Sequence, residues 1–177
     1  AALYSTALQE LGRWLTYESL RDWLPHRRDV ITTDCAETEG TVIESSVPLL
    51  TLPLLPAGLE LWQGARSVLP NAALCLQGVP QGIEANAGVI VFIDQISDGT
   101  RLLNLLQQLQ AQGVEGRRLR VITALTASPG LTRLGEQMPD LTVHTACIDA
   151  ELQDNGNIKP GIGDPVTRLN LRTPARN

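Results

Sequence analysis

Residues Val89 to Arg101 read VIVFIDQISDGTR. A run of Val, Ile and Phe closes on an acid, Asp94, and a short polar loop follows. Leu102, Leu103, Leu105, Leu106 and Leu109 then recur at helical spacing. An unbroken apolar strand suits a parallel sheet covered on both faces, because neither face meets water. A loop of small residues between such a strand and a helix is a common phosphate cradle, since the first amides of the helix point at the anion. Here an acid, Asp98, stands where that anion would lie.

The pattern repeats on either side. Leu119 to Leu125 and Leu141 to Ile148 read as strands, Val47 to Leu55 as a buried strand punctuated by Pro48 and Pro53, and Ala73 to Leu76 as a short one. Leu8, Leu11 and Leu15, with Trp14 beside them, set a helix over Leu3 to about Leu24, which Pro25 ends. Gly58 opens another, carrying Leu59, Leu61, Trp62, Ala65 and Leu69. Ser128 is expected to cap a third, with Pro129 at its first position. Asp29 to Ser46 reads as a hairpin or loop, Gly78 to Gly88 as a loop, and Asn155-Gly156 as a tight turn. Strands alternating with helices predict a single α/β domain over residues 1–177 with a mostly parallel sheet flanked by helices. In such sheets ligands bind beyond the carboxyl ends of the strands. That rule gathers Pro56 to Leu59, Asp94 to Thr100 and Thr126 to Gly130.

Composition narrows the function. The net charge is −5 and the pI about 5.0, which argues against general nucleic-acid or anionic-membrane binding. Arg117, Arg118 and Arg120 cluster, and read as a solvated strand entry. No run approaches the ~18 apolar residues of a membrane span. No basic, apolar leader opens the chain, so a cytoplasmic location is expected. The three cysteines, Cys35, Cys75 and Cys147, are scattered and odd in number, which fits a reducing compartment. Cys75 and Cys147 sit in apolar runs and read as small core residues. His26 and His144 have no Cys or Asp at metal spacing, so no metal site is expected.

Three stretches carry a resemblance: ELGRWLTYESLRD (Glu10 to Asp22), PLLPAGL (Pro53 to Leu59), and the long block from LTASPG to GIGDPVTR (Leu125 to Arg168). Together they resemble the uracil phosphoribosyltransferases. The resemblance implies a phosphoribosyltransferase-type fold with a small C-terminal hood. It also implies a reaction in which uracil is joined to 5-phosphoribosyl diphosphate and pyrophosphate is released, usually with magnesium. A homodimer is implied too, since family members commonly dimerise.

Against the family pattern, the donor-phosphate loop is degenerate. Asp94 matches the family's acid, and Gly99 and Thr100 supply amides and one hydroxyl. Asp98 falls where a threonine hydroxyl would meet phosphate. A carboxylate about 4 Å from a phosphate is repelled by roughly 4 kcal/mol per unit-charge pair at an effective dielectric near 20. Pro56 stands in the place of the family's arginine, and Gln77 to Gly88 contains no Arg or Lys. Arg66 and Arg101 are the nearest cations in sequence and read as surface charges. The uracil slot is better kept, at Ile158, Gly163, Asp164 and Pro165, although Pro165 lacks an amide hydrogen.

The sequence therefore favours a uracil phosphoribosyltransferase-like protein with impaired catalysis and no catalytic residue assigned. It would serve as a structural or regulatory subunit of a larger assembly, or as a pyrimidine or nucleotide sensor, with no cofactor assigned. The alternative is an active transferase in pyrimidine salvage, with magnesium. If the chain joins other proteins, Trp23, Trp62 and Leu24 are the apolar positions expected at the contact.

Overall fold

The polar loop of the opening stretch is held at the carboxyl end of the central strand of a five-stranded parallel sheet. The computed structural model describes residues 1–44 and 46–172. The chain runs α1 (Ala2–Trp23), β1 (His26–Thr32), β2 (Glu37–Ile43), β3 (Leu49–Pro53), α2 (Gly58–Ala65) and β4 (Ala73–Leu74). It continues with β5 (Gly88–Ile96), α3 (Thr100–Ala111), β6 (Leu119–Ala127), α4 (Ser128–Gln137) and β7 (Thr142–Asp149), then closes with β8 (Glu151–Leu152), β9 (Ile158–Lys159) and α5 (Pro165–Arg168). The main sheet has the order β4-β3-β5-β6-β7, with every pairing parallel.

β5 lies at the centre of that sheet, and its side chains divide between two cores by the strand's period of two. Val89, Val91 and Ile93 face a cluster containing Leu102, Leu106 and Leu109 of α3 and Leu134 of α4. Ile90 and Phe92 face the other cluster, with Leu8 and Leu20 of α1 and Leu61 and Ala65 of α2. Leu119 and Val121 against Ile122 and Ala124 repeat the division on β6. α1 and α2 cross almost in backbone contact: a Cβ added to Gly12 would lie 1.9 Å from the Leu61 carbonyl oxygen, and one added to Gly64 would lie 1.7 Å from that of Gln9.

β1 and β2 form an antiparallel arm that is exposed along nearly its whole length. At the other end of the chain, β8 and β9 pair around the Asn155-Gly156 turn and lead into α5, forming the C-terminal hood. Gly156 has φ 82°, the left-handed conformation such a turn requires.

Several expectations change. β5 continues two residues past Asp94, so the loop shrinks to Ser97-Asp98-Gly99. The Ala73 to Leu76 strand stops at Leu74. Ser128 is not a cap: the N-cap is Ala127, and the Ser128 hydroxyl donates instead to the Asp149 carbonyl at 3.4 Å. Cys75 does pack on the core, but Cys147 is exposed, because β7 is an edge strand. Leu24 is buried, and Trp23 of α1 and Trp62 of α2 are half-buried on the core cluster that contains Leu8 and Leu61; the exposed large apolar side chains include Leu3, Trp14, Tyr17 and Ile148. The arginine cluster is structural. Arg118 donates to the carbonyls of Ala87, Glu84 and Gly113, and so ties down the Gln77 to Gly88 loop. Arg117 pairs with Glu115, and Arg120 lies over the Trp23 ring at 4.8 Å. No described helix is long and apolar enough to cross a membrane, and no group of three or more His, Cys, Asp or Glu among the described residues is arranged to hold a metal ion.

Candidate active site

Beyond the carboxyl end of β5, between the loop and the hood, lies a cavity of about 270 Å³. Asp94, Asp98 and Gly99 line it from the loop side, and Ile158, Gly163, Asp164 and Pro165 from the hood side. The two groups of residues read from sequence are therefore opposite walls of one space. Thr100 is not among the lining residues; its amide and hydroxyl are turned to Asp98.

The loop is built around glycines. Gly99 has φ 78°, and a Cβ there would meet the Gly130 carbonyl oxygen at 3.2 Å. A Cβ on Gly130 would in turn lie 2.3 Å from the Ser97 carbonyl oxygen. Only glycines let the start of α4 sit this close to the loop. That approach brings in Arg133, which the sequence reading missed. Arg133 Nη1 donates to Thr100 Oγ1 at 2.6 Å and lies 3.3 Å from Asp98 Oδ2. Asp98 also accepts from the Thr100 amide at 3.1 Å and from the Thr100 hydroxyl at 2.6 Å. It therefore caps α3 from the residue before its N-cap, Gly99, and takes donors a phosphate would otherwise use. The Thr100 hydrogen bonds, with the charge of Arg133, hold its carboxyl below the usual carboxylate range.

Asp94 is the opposite case. It is 4% exposed, and burial pushes its carboxyl up, only partly offset by hydrogen bonds from its own and the Gln95 backbone and by the charge of Arg101. Its native pKa lies above the unfolded value, so the stability it contributes is present below that unfolded value, near 3.9, and is lost as pH rises through the native pKa. Asp94→Asn is therefore expected to melt at a higher temperature than the wild type at pH 7, with the gap closing as pH falls towards 4. A gap that widened on acidification would contradict this.

The hood is pinned to the sheet at two points. Gln95 Nε2 donates to the Gly163 carbonyl at 2.9 Å, and Asp149 Oδ2 accepts from the Gly161 amide at 3.0 Å. Asp164 is the N-cap of α5. It accepts from the Thr167 amide at 2.8 Å and the Thr167 hydroxyl at 2.6 Å, which lowers its pKa. Arg168 packs over Gly163 and stacks on Tyr4 of α1 at 4.8 Å. Ile158 is buried, and beneath the cavity it packs in a small core with Leu125 and Ala127.

One cation expected at the surface lies at the site instead. Arg101 Nη2 donates to the Leu55 carbonyl, so its guanidinium sits beside Pro56 and lines the cavity. Arg66 does not come to the site; it lies over the Trp62 ring at 5.8 Å.

The family model described as uracil phosphoribosyltransferase matches residues 2–169. The chain belongs to the uracil phosphoribosyltransferase family. A protein of Synechococcus elongatus named uracil phosphoribosyltransferase is 37% identical over 183 aligned positions, covering 94% of this chain and 84% of its own. One of the same name from a Nostoc species is 32% identical, covering 96% and 86%. A solved protein of Aquifex aeolicus superposes with a TM-score of 0.77 at 24% identity over 97% of this chain and 87% of that one, which bears on the fold. In this member of the uracil phosphoribosyltransferase family, the loop after β5 and the C-terminal hood face each other across a cavity of about 270 Å³, and the Gln95–Gly163 bond joins β5 to the hood.

Proposed function

We propose that the chain is an active uracil phosphoribosyltransferase, converting uracil and 5-phosphoribosyl diphosphate to uridine monophosphate and diphosphate in pyrimidine salvage. The observation that carries this reading is the shared cavity: Asp94 and the Ser97-Asp98-Gly99 loop on one wall, Ile158 and Gly163 to Pro165 on the other, in a chain whose relatives bear the transferase name. The whole chain would act as one domain, in the cytoplasm, as a homodimer.

Magnesium fits this site as a companion of the donor. Mg²⁺ keeps most of its water and is commonly bound through substrate phosphates with one or two carboxylates. Asp94 lines the cavity and could supply one such carboxylate, whereas Asp98 is already held by Thr100 and Arg133, and a cage made wholly of protein groups is absent among the described residues. Bound there, the ion would neutralise charge on the departing diphosphate.

A second reading, impaired catalysis with a regulatory or structural role, is favoured by one observation. Asp98 already occupies the amide and hydroxyl of Thr100. Two others weigh against it. Arg133 pairs with Asp98, so the loop does not present a bare negative charge, and Arg101 puts a guanidinium beside Pro56.

The two readings part on donor binding. For the transferase, magnesium and 5-phosphoribosyl diphosphate at 100 times the dissociation constant add ~2.7 kcal/mol of stability, a rise in Tm of about 5–11 °C for a chain of this size. A melting curve that stays flat across millimolar donor favours the impaired reading.

A further inference from the structure

The cavity has an awkward charge balance for the reaction proposed above, on which this inference rests. Three carboxylates line it, from Asp94, Asp98 and Asp164, and one cationic side chain, Arg101. The reaction releases a polyanion. As the anomeric C–O bond breaks, diphosphate leaves with the bonding pair. A ring nitrogen of uracil forms the new bond to the same carbon, and the proton of that nitrogen passes to solvent. Negative charge builds on the departing oxygen, and fixed cationic groups there lower the barrier.

The acids are mostly spoken for. Asp164 is turned to Thr167, and Asp98 to Thr100 and Arg133. Arg101 is held differently. Its bond to Leu55 uses one of the five N–H donors of a guanidinium, and it forms no ion pair among the described residues. The anchor fixes the group without neutralising it. Arg101 also stands in the first turn of α3, where the helix dipole disfavours a cation. Its stabilising contacts are the Leu55 bond and a longer-range attraction to Asp94, with neither an ion pair nor the dipole holding it there. By contrast Arg133, its nearest rival, is absent from the cavity lining and is already engaged with Asp98 and Thr100.

We propose that Arg101 is the catalytic cation that meets the diphosphate of the donor and stabilises it as it leaves. The anchoring carbonyl of Leu55 aims the guanidinium along the turn after β3, so the diphosphate lies between that turn and the start of α3. The ribose end points inward to Asp94, and the base lies under the hood.

The test compares wild type with R101Q and R101K, using steady-state kinetics and calorimetric titration of magnesium pyrophosphate. R101Q is expected to lower kcat/KM for the donor about 100-fold and to weaken inhibition by pyrophosphate at least about 10-fold, while leaving the KM for uracil within about twofold. R101K keeps the charge but loses the planar fork, and recovers part of the loss. Arg101 is exposed, so all three chains should melt alike. The titration needs no turnover, so it separates this proposal from the transferase reading. A wild type that makes no nucleotide overturns that reading, while pyrophosphate binding that falls in R101Q still supports Arg101 as the diphosphate contact. Equal affinity in wild type and R101Q, no binding to either, or a loss confined to uracil overturns the proposal.

Discussion

Replacing Asp98 by serine is expected to tighten binding of 5-phosphoribosyl diphosphate by about 10- to 100-fold. The carboxylate does two things that oppose a phosphate. It takes the amide and hydroxyl of Thr100, and it draws Arg133 onto itself. Serine leaves a hydroxyl near the loop and frees all three donors. The size of the gain is bounded by solvent. The Asp98 side chain is 52% exposed and that of Arg133 48%, so the repulsion lies between the ~1 kcal/mol of bulk water and the ~4 kcal/mol of a partly buried pair at 4 Å. Asp98→Asn, which removes the charge but can still accept from Thr100, should give a smaller gain. Donor titration followed by fluorescence or calorimetry reads both. An unchanged or weaker affinity in Asp98→Ser would mean that no phosphate group binds at this loop. The gain should also shrink at high salt, as screening weakens the charge being removed.

The largest loss of stability is expected at Gly64, far from the chemistry. An added Cβ would sit 1.7 Å from the Gln9 carbonyl oxygen, and the obstacle is backbone, which no rotamer change can clear. Gly64→Ala must push α1 off α2, opening the cluster around Leu8, Leu61 and Phe92. Overpacking of this kind costs about 3 kcal/mol or more, which is a fall in Tm of about 6–12 °C for a chain of this length. Gly135→Ala is the matched control. It lies in α4 with nothing within 4 Å of the new Cβ, so it should gain up to ~1 kcal/mol from helix propensity alone. Equal melting of the two variants would show that the α1–α2 contact yields easily. α2 begins at the turn that carries Leu55, so Gly64→Ala should also weaken donor binding through Arg101.

Much of this was legible from the residues. β5 could be read because it is apolar on both faces, and the helices on either side because Leu recurs at their buried spacing. The loop after Asp94 and the segment around Gly163 could be picked out because the family's short motifs keep their order along the chain, and residues of both line one cavity. What escaped was whatever depends on neighbours in space. Arg133 lies 35 positions from Asp98 and meets it only because β5 and β6 are adjacent and two glycines let α4 close on the loop. Strand order was the available signal: the start of the helix after β6 must lie beside the loop after β5. Arg101 looked like surface because side-chain reach is invisible in one dimension, yet it crosses to a carbonyl 46 residues away. Cys147 looked like core because its strand is apolar, and only the sheet order shows that β7 is an edge. The leaning towards impaired catalysis came from counting lost charges one position at a time. The fold brings Arg101 to the cavity from α3 and sets Arg133 against the charge of Asp98.

The measurement that bears most directly on the account is formation of uridine monophosphate from uracil, 5-phosphoribosyl diphosphate and magnesium by the purified chain, with pyrophosphate followed as the second product. The account predicts stoichiometric release of both at an ordinary enzymatic rate, ~1–10³ s⁻¹. No nucleotide after hours, with enzyme and substrates at comparable concentrations, would contradict it.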